Sequence, residues 1–136
     1  MKWTLAVIAL AGLLAGCGFN VQSADLFLLT RTGHSGQLTL LVNDGGTIRC
    51  NGRHARPISD PLLLEARDLA GMLDGDAKAG LRIAAPGNSV YRYRISLQGG
   101  TIAFPDTAAA SGKFPALAQA ELFTVQAAQQ ACGLSG

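Results

Sequence analysis

Apolar positions in this chain recur with two periods, and the switches between them divide it into elements. Val90-Tyr91-Arg92-Tyr93-Arg94-Ile95-Ser96-Leu97 alternates strictly, so Tyr91, Tyr93, Ile95 and Leu97 face one side of a strand and Arg92, Arg94 and Ser96 the other. One sheet face is buried and one is wet. The runs Asp25 to Arg31 and Gln37 to Asn43 are rich in β-formers, and Thr32-Gly33-His34-Ser35-Gly36 between them predicts a hairpin. Asp44-Gly45-Gly46 is the strongest turn signal, because both glycines accept the positive φ of a tight hairpin. A short third strand, Thr47 to Cys50, follows from it, and then a polar loop from Asn51 to Ile58.

Leu62, Leu63, Ala66, Leu69, Ala70 and Leu73 recur at helical spacing after Ser59-Asp60-Pro61, where Ser59 or Asp60 can cap the helix and Pro61 suits its first turn. Gly75 is the expected stop. After the alternating strand, Gln98-Gly99-Gly100 turns the chain into Thr101 to Phe104. A last helix, about Pro115 to Ala131, presents Leu117, Ala118, Leu122 and Val125. Pro86 to Ser89 and Thr107 to Lys113 read as loops. The tetrapeptide Gly45-Gly46-Thr47-Ile48 recurs as Gly99-Gly100-Thr101-Ile102, and each copy is followed by a helix. The expected fold class is α+β: an antiparallel sheet of four to five strands with two helices on one face.

The first sixteen residues differ in kind. They hold one charge, Lys2, and an apolar run from Leu5 to Ala15, the length of a signal-peptide core and too short to span a bilayer. Leu14-Ala15-Gly16-Cys17 resembles the lipobox of bacterial lipoproteins. That resemblance implies cleavage between Gly16 and Cys17 and a diacylglyceryl group on the Cys17 sulfur, whose thiolate is the nucleophile that takes the lipid. It divides the chain into a signal peptide (1–16), a lipidated N-terminus and tether (17–24) and one domain (25–136), exported and held on the extracytoplasmic face of the bacterial membrane by two or more acyl chains. Ordinary secretory cleavage after Ala24 is the other reading, and it sets Gln22 where a small residue is preferred.

Composition narrows the function. With 136 residues, 49% of them hydrophobic and 15% charged, the chain must bury a core. A balance of 11 Lys+Arg against 9 Asp+Glu is too even for electrostatic binding of nucleic acid. With Cys17 assigned to lipid, Cys50 and Cys132 form an even pair in an oxidising compartment, where a disulfide is expected. Closing so long a loop is worth on the order of 4.5 kcal/mol in the chain-entropy model. Zinc through Cys50 and His54 lacks two ligands nearby. No metal or other cofactor is expected.

Catalytic signals are sparse. His34-Ser35 and His54 lie in turns rich in small and polar residues, and neither Gly-x-Ser-x-Gly nor His-Glu-x-x-His occurs. The expected protein is not an enzyme. Arg49, Arg53, His54 and Arg56 make a cationic loop, which Arg92 and Arg94 extend onto the wet sheet face; Arg53, Arg56, Arg92 and Arg94 are the candidate binding residues, for an envelope protein or an anionic surface. The expected function is a lipid-anchored, non-catalytic interaction module.

The order of elements and the segments Arg31-Thr32-Gly33, Leu62-Leu63-Leu64-Glu65-Ala66-Arg67-Asp68-Leu69, Ala85-Pro86-Gly87 and Tyr91-Arg92-Tyr93 resemble emfourin-type inhibitors of thermolysin-like metallopeptidases over residues 25–131. That resemblance implies the alternative function, a surface-tethered peptidase inhibitor. The lipobox, the cysteine pair and the third strand depart from the family pattern.

Overall fold

The computed structural model describes residues 24–134. The proposed leader and Cys17 lie outside the described residues. Six strands, β1 (Asp25–Gly33), β2 (Gly36–Asn43), β3 (Thr47–Cys50), β4 (Arg56–Pro57), β5 (Tyr91–Leu97) and β6 (Gly100–Pro105), form one sheet in the order β4-β3-β2-β1-β5-β6. Every neighbouring pair is antiparallel. The chain is therefore α+β. Two features are finer than the sequence indicated. The polar loop after Cys50 contributes the two-residue β4, and the segment from Asp106 folds as a short helix, α2 (Asp106–Ala110), rather than a loop.

Alternation assigns the faces. Phe27, Leu29, Leu38, Leu40, Val42, Ile48, Tyr93, Ile95, Ile102 and Phe104 point inward and are buried, covered by α1 (Asp60–Lys78) and α3 (Pro115–Gln130). Phe27 meets Phe123 of α3 edge-on at 5.5 Å between ring centroids, and Tyr93 stacks on Phe104 at 5.1 Å. Aromatic pairs of this kind add to simple area burial.

Helix α1 begins as expected, with the Ser59 hydroxyl accepting from the Leu62 amide at 3.4 Å and Pro61 in the first turn. It runs past Gly75. The end comes at Gly80, whose φ of 66° lets its amide donate to Ala77 while the Leu81 amide donates to Asp76. This is a Schellman motif, which satisfies the last carbonyls. Burial of Leu73 and Ala77 on either side of Gly75 outweighs the roughly 1 kcal/mol that an interior glycine costs.

Helix α3 is rotated from its expected face. Leu117 is buried as expected, but Ala120, Phe123, Thr124, Ala127 and Ala128 complete the inner stripe, while Leu122 is 51% exposed and Ala118 lies outside. Phe123 decides this, because seating the largest apolar side chain of the segment against Phe27 removes more surface from water than Leu122 and Val125 would. Thr124 is tolerated inside because its hydroxyl donates to the Ala120 carbonyl at 2.7 Å.

The two Gly-Gly turns lie at the same end of the sheet, since β2 and β5 run parallel. Helix α1 spans that end. A Cβ built on Gly46 would touch Leu63 near the helix start, and one on Gly100 would strike the Ala77 carbonyl near its finish. At the same end Arg67 bridges back to the β2–β3 turn, donating to Asp44 Oδ1 at 2.7 Å and to the Asp44 carbonyl at 2.9 Å.

Cys50 and Cys132 are disulfide-bonded across 82 residues of sequence. The bond ties β3 to the end of α3.

Candidate functional site

The sheet face opposite the helices carries Leu28, Thr30, Thr32, Gln37, Thr39, Leu41, Arg49, Arg92, Arg94, Ser96 and Ala103, as register and alternation require. Leu28 and Leu41 pair at its centre and are half-buried. Arg92 and Arg94 are exposed there, on the face opposite Tyr91 and Tyr93.

A residue unremarked in the sequence joins them. Beyond β6, the Ile83 amide donates to the Ala103 carbonyl at 2.9 Å and the Ala103 amide to the Leu81 carbonyl at 3.0 Å, so Arg82 bridges Ala103 in parallel. Bridge partners share a face, which sets Arg82 on the open side in one row with Arg94, Thr30 and Thr39. Leu81-Arg82-Ile83 carries an apolar-charged-apolar alternation, but three residues are too few to announce a strand. Arg49 of β3 stands in a neighbouring row with Leu41, Leu28 and Ser96.

Arg53 and Arg56 lie elsewhere. With Arg49, Gly52 and His54 they line a cleft of about 410 Å³ at the β3–β4 edge. The structure thus divides the four expected binding residues. Three strand spacings, about 14 Å, separate β3 from β5, and Arg49 is the residue common to cleft and open face.

The cleft has a fixed base. Asn51 (φ 52°) and Gly52 (φ 70°) turn the chain through two left-handed residues, and Asn51 is clamped to β2 by Thr39 N–H···Oδ1 at 2.9 Å and its own amide to the Thr39 carbonyl at 2.8 Å. Cys50 is held one residue earlier by its disulfide.

Charge is segregated around the sheet. Two of the eight arginines are engaged, Arg67 with Asp44 and Arg31 over the Tyr91 ring at 4.7 Å. Among the described residues, Arg49, Arg53, Arg56, Arg82, Arg92 and Arg94 form no ion pair. Seven of the nine acids sit on helices, and the only strand acid, Asp25, is at the beginning of β1, where it accepts from Asn43 Nδ2 at 3.1 Å. Near-neutral net charge therefore conceals a cationic side.

A second cluster lies between β5 and the helices. Desolvation by burial pushes the Asp106 carboxyl upward, but hydrogen bonds from Ser89 Oγ (2.9 Å) and the amides of Tyr91, Val90 and Thr107 outweigh it and hold the group below its ordinary value. Burial, and then the charge of Asp106, raise Glu121 to about 7. Its Oε1 is buried without a hydrogen-bond partner. Tyr93 is raised to about 12 by burial and then by Glu121. Perturbed groups of this sort mark functional sites and structural clusters alike, and Asp106 is committed to fastening the start of β5 to α2. The expected α3 face of Leu117, Ala118, Leu122 and Val125 has Glu121 within it, at i+4 from Leu117 and i−4 from Val125, so a lone acid in that stripe was the signal, and sequence reasoning passed over it.

His34 is exposed in the β1–β2 turn and His54 lies in the arginine cleft. Among the described residues no three His, Cys, Asp or Glu side chains gather as a metal site, and no helix is long and apolar enough to cross a membrane. No family model, curated protein or solved structure matches this chain.

Proposed function

We propose that the domain is a non-catalytic binding module, held outside the cell membrane by lipid on Cys17, whose open sheet face docks on an acidic protein surface. One observation carries the reading: Arg49 flanks the half-buried Leu28–Leu41 pair on the β3 side and Arg82, Arg92 and Arg94 lie across its β5–β6 side, on a face whose only strand acid is Asp25 at its margin. An apolar centre with a polar, arginine-bearing rim is the anatomy of a protein interface. Four strands of six to nine residues with the shorter β3 and β4 give a face of roughly 570 Å². That is of the order of the roughly 800 Å² that one partner contributes to a standard interface.

Exposed cations in this arrangement speed association and lose strength with salt. The test compares capture of envelope proteins by the full chain and by its Arg82→Gln/Arg92→Gln/Arg94→Gln variant across a salt series. A partner held by wild type at low salt and lost by the variant supports the reading; equal retention overturns it. Should the partner be a thermolysin-like peptidase, as the emfourin resemblance implies, its activity will fall on addition of wild type and not of the variant.

A further inference from the structure

We propose that the cleft between Arg49, Arg53, His54 and Arg56 is a binding site for a phosphoryl group. The site shares Arg49 with the open face but is centred on the β3–β4 edge, and it does not depend on the partner assigned to that face. Its walls are three guanidiniums, an imidazole and Gly52, with no carboxylate among them. None of the three arginines has an ion-pair partner among the described residues, so no carboxylate compensates the three charges that line the cleft.

The ligand class follows from the donor set. Each guanidinium offers a planar fork that matches two oxygens of a phosphate or carboxylate. A carboxylate has only two oxygens and one charge, which one fork satisfies. A phosphoryl group presents three oxygens on a tetrahedral centre and up to two charges, so several forks engage it at once. The cleft volume of about 410 Å³ lies in the range of small-molecule sites, with room for the moiety that bears the phosphate.

The cleft is also preorganised. The Asn51–Thr39 hydrogen bonds and the Cys50–Cys132 bond hold the chain where Arg49 leaves β3 and Arg53 begins the loop, and binding does not have to order this base. A lipid headgroup and a free organophosphate share the recognised chemistry.

The experiment titrates the full-length chain in detergent micelles with inorganic phosphate at constant ionic strength, by calorimetry and by amide shifts of Gly52 and His54. Saturable binding is expected, with shifts confined to the cleft. Arg53→Gln/Arg56→Gln should weaken it at least tenfold, and Arg53→Lys/Arg56→Lys should restore part of the loss, because lysine keeps the charge without the fork. Arg49→Gln, outside the loop, provides a second variant should the pair alter folding, which thermal melting reports. Arg82→Gln/Arg92→Gln/Arg94→Gln should bind phosphate like wild type even if it has lost its protein partner. Free glycerol phosphate and phosphatidylcholine vesicles carrying phosphatidic acid then distinguish the sources: tighter binding to the vesicles assigns a headgroup, and equal or tighter binding of the free ester assigns a soluble ligand. Absence of saturation, acetate binding as tightly as phosphate, or equal loss in the cleft and open-face variants overturns the proposal.

Discussion

Gly100 lies so close to the end of α1 that a Cβ at this position would occupy the space of the Ala77 carbonyl. The neighbour is backbone, pinned by the Schellman hydrogen bonds at Ala77 and Asp76, and cannot swing aside. Gly100→Ala should therefore destabilise the domain by about 1–3 kcal/mol, the range of overpacking. Gly75 is the internal control: it is a helical position of α1 with nothing near its absent Cβ. Gly75→Ala should stabilise by about 0.5–1 kcal/mol. Denaturant melts check both, and opposite signs are required.

The Cys50–Cys132 bond closes an 82-residue separation, and its reduction should lower stability by about 2–4.5 kcal/mol. Guanidinium unfolding with and without reductant measures this, beside a Cys50→Ala/Cys132→Ala variant. A loss below about 1 kcal/mol would show that the reduced chain retains structure that offsets the loop entropy.

Glu121 makes stability depend on pH in a stated direction. Its folded-state carboxyl titrates at about 7 against an ordinary 4.5, so between those values the native protein holds a proton that the unfolded chain has lost. Stability falls as pH rises through that window and is lowest above it. Glu121→Gln, neutral at every pH, should abolish this dependence and gain on the order of 1 kcal/mol over wild type at pH 8, a modest figure because the side chain keeps some solvent contact. Melting temperatures of both proteins at pH 4, 6 and 8 decide the matter. Parallel profiles count against it.

Cys17 should carry acyl chains in the mature protein. Intact-mass spectrometry of the membrane fraction is expected to show a lipid-modified N-terminus at Cys17, and Cys17→Ser to leave uncleaved precursor or release the protein from detergent-phase partition. An unmodified N-terminus at Asp25 is the contrary result.

Local pattern alone determined much of this protein. The alternation of Tyr91 to Leu97, the glycine turns at Asp44 to Gly46 and Gln98 to Gly100, the Ser59 cap and the apolar stripe of α1 are short-range consequences of side-chain geometry, and they were enough for an antiparallel sheet with helices on its tyrosine face. Arg92 and Arg94 were likewise placed on the open face by a period of two. Tertiary structure decided what local pattern leaves degenerate. A helix with apolar residues on several sides, as α3 has, orients by the cavity it must fill, and Phe27 selected Phe123 over Leu122, which moved Glu121 from the expected inner stripe to the flank of the buried one, within electrostatic reach of Tyr93. Gly75 was a legible breaker that packing overrode, whereas Gly80 ended α1 because only its backbone could supply the left-handed cap. Above all, pairing across the sheet is a long-range choice. The hydrogen bonds of Leu81 and Ile83 to Ala103 brought Arg82 into the row of Arg94, with Ala103 between them, while the β3–β4 edge drew Arg53 and Arg56 away, and one cationic surface inferred along the chain became two arginine clusters joined at Arg49.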